Sequence, residues 1–136
     1  MSGDGIGFVD VDGLRLRDRP AREACFTVVR HDTEMATYAG SDAVAVREMV
    51  HRHMSNEVTS LDIAAQCVAE FPEAPWALRL ELARQAWDEA RHVRALADRL
   101  DELGGRKGEF PISTFEWDAT CALADLPGRL ATQNRT

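Results

Sequence analysis

Three side chains in this sequence combine the types and the spacing needed to hold a metal ion. Glu89 and His92 form a Glu-x-x-His pair, and residues three apart share one face of a helix, so both can reach the same ion. Glu57 lies on the preceding helical segment and can reach that ion from across a hairpin. Carboxylate and imidazole donors without a thiolate favour iron or manganese over structural zinc. The competing reading is a structural polar layer, in which these residues pair with each other or with an arginine and fix the helix register. His53, one turn before Glu57, reads as a partner of that carboxylate or as a packed core histidine. Asp88, next to the pair, and Tyr38, from the N-terminal segment, are further candidates for hydrogen bonds to the ligands. Solvated surface is the alternative for Asp88.

Two long helices have to position these groups. Ser41-Asp42 supplies an N-cap, and a helix is expected to run to Phe71, where Pro72 stops it. With Glu57 set at zero, Val46, Val50, His53, Leu61, Ala64, Val68 and Phe71 fall within about 40°, which places Glu57 at the centre of an apolar stripe. Arg47, Glu48, Arg52, Thr59, Asp62, Gln66 and Glu70 lie toward the other, solvated side. Pro75 suits the first turn of a second helix, expected to end at Leu103 before Gly104-Gly105. Around Glu89, Leu78, Leu82, Val93, Leu96, Leu100 and Leu103 again fall within about 40°. The turn centres on residue 73, and 73 − 57 and 89 − 73 are both 16. Both carboxylates therefore sit at one level of an antiparallel hairpin. A carboxylate in an apolar stripe is costly unless something pairs with it.

Spacing alone is weak, because the sequence contains a second Glu-x-x-His, Glu48-x-x-His51. Glu48 lies about 180° from Glu57 on the same helix, which assigns that pair to the solvated face. Elsewhere on the second helix Trp76, Leu80, Ala83 and Trp87 form another apolar strip, roughly opposite Glu89. Residues 1–40 are the first candidate to cover it and a neighbouring subunit the second.

Those first 40 residues read as an irregular arm. Phe8–Val11 and Leu14–Arg17 flank Asp12-Gly13, the signature of a small hairpin with a primed turn. A short, weakly signalled helix falls around Ala21–Arg30. Residues 41–136 form the helical unit. After Gly104–Pro111, Ser113-x-x-Glu116 resembles a capping box, with Thr114 as an alternative cap. A third helical stretch over Phe115–Asp125 is broken or restarted at Pro127, and no fourth helix is expected. Glu116 falls too near its helix start to share the level of Glu57, and Asp125 precedes the proline.

The chain has 136 residues, 45% of them hydrophobic, and a net charge of −7. That is one ordinary globular domain, and the acidic balance argues against nucleic acid or an anionic membrane as partner. No apolar run reaches the ~20 residues a membrane span needs, and the N-terminus lacks a signal-peptide pattern, so the expected location is cytoplasmic. Cys25, Cys67 and Cys121 are odd in number and widely spaced; they read as buried small residues, not as a disulfide framework or zinc ribbon.

With these residues in place, His51–Leu103 resembles the first helix pair of the ferritin-like superfamily of di-iron carboxylate proteins. The run from Asp88-Glu89-Ala90-Arg91-His92 to Asp101-Glu102-Leu103-Gly104 looks like an uncharacterised ferritin-like branch related to the tRNA-hydroxylating di-iron enzymes, and Leu126–Thr136 fits that branch's third helix. The likeness covers about two thirds of the chain. It implies an all-α fold built on an antiparallel helical hairpin, two irons (or manganese) per complete site, and oxygen chemistry. A complete member carries a further Glu and a further Glu-x-x-His on two more helices. Neither is present here, so the resemblance implies a half-bundle completed by a second ferritin-like half-bundle chain or by a second copy of itself. The expectation is a subunit of a di-metal oxygenase or oxidase acting with dioxygen on a small organic substrate. The alternatives are a ferroxidase or iron-handling protein, and a non-catalytic helical scaffold partner.

Overall fold

The computed structural model describes residues 8–11, 14–17 and 20–133. The fold is all-α, dominated by two long antiparallel helices, α1 (Ala43–Glu70) and α2 (Trp76–Glu102). Their ends follow the punctuation in the sequence. Asp42 is the N-cap of α1, and Phe71 closes it immediately before Pro72. Pro75 stands one position earlier than expected, at the N-cap of α2. Beyond α2, Gly104 adopts a φ of 80°, and the Gly105 N–H donates to the Leu100 carbonyl at 2.9 Å. This satisfies a last-turn acceptor in the manner of a Schellman stop, and the left-handed φ explains the glycine. Among the described residues no helix is long and apolar enough to cross a membrane.

Short elements close over the hairpin. In the arm, β1 (Phe8–Val11) pairs antiparallel with β2 (Leu14–Arg17), with Val11 opposite Leu14. The turn residues 12–13 lie outside the described residues. The expected helix over 21–30 is absent. That stretch is irregular and ends in β3 (Val28–Val29), which pairs in parallel with β4 (Ile112–Ser113) beyond α2. A two-residue bridge carries no periodicity that a sequence could reveal.

The expected third helix is two helices, α3 (Phe115–Cys121) and α4 (Leu126–Gln133), so a fourth, short helix exists where none was expected. Pro127 opens α4 instead of ending a helix, since the first turn needs no N–H from it. Trp117 joins Ile63, Cys67 and Leu82 in the core, with Phe71, Leu126 and Leu130 packed against them. Arg129 fixes α4. It pairs with Glu70 at 2.5 Å, donates to the Leu123 carbonyl at 2.8 Å and lies over the Phe71 ring. Gln133 reaches the Ser60 carbonyl at 3.5 Å, so α4 runs back along α1 in the opposite direction.

The buried side of α1 differs from the expected one. Its most buried line runs Glu48, His51, Ser55, Thr59, Ile63, all 9% exposed or less, on the side read as solvated. The arm, the loop after α2 and the C-terminal helices cover that side. The arm does so through Arg22, which donates to Asp62 at 2.6 Å and to the Thr59 hydroxyl at 3.0 Å. Glu57 and Leu61 are only half-buried and His53 is exposed. The arm therefore does not lie on the second strip of α2 with its described side chains; Trp76 and Trp87 are 67% and 64% exposed. Of the cysteines, Cys67 is buried, Cys121 half-buried and Cys25 exposed, contrary to the expectation for Cys25.

Candidate metal centre

Equal height on the two helices brings Glu57, Glu89 and His92 together. One donor atom from each lies within 4.8 Å of the others. His92 Nδ1 stands 3.1 Å from Glu89 Oε2 and 3.3 Å from Glu57 Oε2. The other oxygen of Glu57 meets His53 Nε2 at 2.9 Å. His53 thus orients a carboxylate of the cluster and contributes no atom to its centre. The side chains of Glu57 and Glu89 are 19% and 16% exposed, that of His92 56%. The cluster is walled by two helices and open on the remaining side.

Its electrostatics are those of acceptors facing one another. Burial raises Glu89, and the hydrogen bond it shares with Glu57 raises it further. Burial pushes Glu57 the same way, but hydrogen bonds with Glu89, His92 and His53 outweigh it and leave the carboxyl below its ordinary value. Hydrogen bonds to Glu89 and Glu57 raise His92. His92 Nδ1 lies within hydrogen-bond distance of both carboxylates, and the two carboxyls are shifted in opposite directions. A dication with oxygen and nitrogen ligands suits that arrangement, and two carboxylates with one imidazole are a donor set for iron or manganese.

A groove of about 330 Å³ leads to this cluster, floored by Leu78, Leu82 and Leu130 and bordered by Gln85, Glu89 and His92. Asp88 lines it as well, but its carboxylate is held by Arg91 at 2.6 Å and approached by Arg84 at 3.9 Å. Those arginines keep it ionised below the usual carboxylate range, the Arg91 hydrogen bond contributing most. Asp88 is thereby a rim residue held by arginines; among the described residues it makes no hydrogen bond to Glu57, Glu89 or His92, and the charge of His92 adds only a smaller downward pull. Tyr38 does not approach the cluster. Its ring packs edge-on against Phe110 at 5.6 Å, over the far side of α1.

The second Glu-x-x-His is not on a solvated face. Glu48 is 9% exposed and His51 fully buried. One donor atom of each is already in use, while the buried Nδ1 of His51 has no hydrogen-bond partner among the described residues. Glu48 Oε1 accepts from Arg52 at 2.6 Å, and His51 Nε2 accepts from the Gly108 N–H at 3.1 Å. Phe26 and Phe110 meet the imidazole edge-on. Burial holds the His51 pKa down, against a smaller upward pull from Glu109 and Glu48. These are packing residues, and no sequence signal separates them from ligands except the availability of local donors.

One acid set aside by its sequence position is electrostatically close. Glu116, in the first turn of α3, has its pKa raised by burial first and then by the charges of Asp32 and Glu57. It faces the same acidic region without joining the three-residue cluster. No curated protein and no solved structure matches the chain. A family profile matches residues 9–136, and the chain belongs to the family it describes, Protein of unknown function (DUF455).

Proposed function

We propose that this chain is one half of a non-haem di-metal oxygenase or oxidase, with iron or manganese held by Glu57, Glu89 and His92. The observation that carries the reading is the convergence of two carboxylates and an imidazole on the open edge of the hairpin. Bound there, two such ions would supply the electrons for reduction of dioxygen. The residues of this chain hold and orient. Glu57 accepts from His53 with one oxygen and offers the other inward, while Glu89 shares the opening with His92. Metal binding requires Glu89 and the ligating nitrogen of His92 in their deprotonated forms, so affinity falls toward acid. Leu78, Leu82 and Leu130 give the adjoining groove an apolar part for an organic substrate, beside its charged Glu81, Arg84 and Asp88.

Three ligands on an open edge do not complete a di-metal site. The remaining donors come from a second ferritin-like half-bundle chain or a second copy, seated against the exposed His53 and His92. The test is metal analysis of protein produced with iron or manganese, combined with native mass spectrometry and dioxygen consumption. Stoichiometric metal that is lost in Glu57→Ala and Glu89→Ala supports the reading. A folded monomer that takes up neither metal, alone or mixed with a partner half-bundle, refutes it and leaves a scaffold role.

A further inference from the structure

The arm does not close tightly on the hairpin. Between them lies a cavity of about 150 Å³, walled by Phe26, Met54, Val58, Val93 and Ile112. Protein interiors hold few voids larger than a water molecule, and apolar cavities of about this size in other proteins stay dry and take up benzene. The walls alone thus define a site for a compact apolar body.

One end is polar in a particular way. Arg22 lines the cavity with a side chain only 6% exposed. Its terminal nitrogens donate to Asp62 and Thr59, but its Nε–H has no acceptor among the described residues and almost no accessible surface, so a ligand oxygen reaches it only when the side chain shifts. A buried donor without a partner is costly and is rarely left so. The guanidinium charge is already matched by Asp62, and the other cation at the cavity, Lys107, pairs with Glu23 at 3.0 Å. The site therefore calls for a hydrogen-bond acceptor but for no net negative charge. Glu23 and Lys107 are 63% and 44% exposed and form the mouth. Exposed ion pairs of this kind contribute little, so the mouth opens at small cost.

We infer that this cavity binds a small neutral aromatic or branched aliphatic molecule bearing one hydroxyl or carbonyl oxygen, with the apolar body against Met54 and Ile112 and the oxygen accepting from Arg22 Nε once that side chain turns toward the cavity. The site lies on the arm side of the helix pair, outside the Glu57 cluster, and stands whether or not that cluster binds metal.

Phenol and benzene separate the two halves of this inference. Methyl NMR of the full chain, titrated with each, is expected to show saturable shifts at Met54 and Ile112, with phenol bound about fivefold more tightly, as one neutral hydrogen bond allows. Arg22→Lys keeps the charge for Asp62 but puts a methylene where Nε stood, and it is expected to abolish the preference while leaving benzene binding intact. Val58→Phe fills the cavity and is expected to abolish both; Ala21→Leu fills it from the arm if the first variant does not fold. Absence of saturable shifts, shifts confined to Leu78 and Leu82 in the outer groove, or binding that survives filling would overturn the site. A phenol preference retained in Arg22→Lys would overturn the role of Nε.

Discussion

The two Glu-x-x-His pairs of this chain have the same spacing and opposite fates. Glu48 and His51 are buried and each is occupied by a donor from the protein itself, Arg52 and the Gly108 N–H. Glu89 and His92 are more exposed, yet with Glu57 they bring three possible ligand atoms within 4.8 Å of one another. Burial therefore does not distinguish the pair proposed to bind metal. What distinguishes the proposed metal-binding pair is the meeting of two carboxylates and an imidazole at one point, without an arginine or lysine paired to them among the described residues.

This contrast can be broken by substitution. The largest expected effect is on metal affinity: Glu57→Ala, Glu89→Ala or His92→Ala should each weaken iron or manganese binding by more than about 100-fold, beyond what loss of a supporting group produces. Metal titration checks this, and Glu48→Ala should leave the affinity unchanged. If Glu48→Ala removes the metal and Glu89→Ala does not, the assignment is reversed. Next, His51→Ala removes a buried ring and orphans the Gly108 N–H, and should cost about 2–4 kcal/mol in urea unfolding. His53→Ala, which only frees one oxygen of Glu57, should lower metal affinity about tenfold with little loss of stability.

Acidity sharpens the comparison, because the two histidines shift in opposite directions. His51 is depressed in the folded chain by burial. Its contribution is present above the unfolded value of about 6.5 and is lost as pH falls from there toward the folded value. His92 is raised by Glu89 and Glu57, so its contribution in the metal-free chain is present below about 6.5 and is lost as pH rises through the folded value. Urea midpoints of metal-free protein measured across this range should fall toward acid in the parent and flatten there in His51→Gln. The smallest effect belongs to the bare strip of α2. Trp87→Gln should change the stability of the isolated chain by less than about 0.5 kcal/mol. A larger loss that depends on protein concentration would show that a second copy covers the strip.

The long helices were legible because their stops are local. Pro72 and Gly104 act within a turn of their own positions, Asp42 stands at the N-cap without a side-chain capping bond, and the observed spans 43–70 and 76–102 fall within one or two residues of the expected ones. Convergence of Glu57, Glu89 and His92 was legible for the same reason, since it follows from helix rise and the placement of one turn. The buried side of α1 was not. Periodicity assumes one buried face, whereas α1 is covered by α2 and also by the arm, the loop after α2 and α3. Polar residues on that second face, Thr59 and His51 among them, bury by finding partners as distant as Arg22 and Gly108. Tyr38 was misplaced on the same account, and α4 was hidden because Pro127 reads as a breaker until its place in a first turn is known.

The bridge between β3 and β4 has a kinetic consequence. Val28 sits opposite Ile112, a separation of 112 − 28 = 84 residues, and the Ile112 and Thr114 amides donate to Thr27 and Val29. The α1–α2 hairpin forms from contacts local to one turn, but this bridge closes a long loop for a handful of hydrogen bonds, so it is the last element to gain from closure. It acts as a clasp that seats late and releases early. In hydrogen exchange, the Ile112 and Thr114 amides should open at lower free energy than those in the middle of α1, so that the arm can lift while the hairpin carrying Glu57, Glu89 and His92 stays folded.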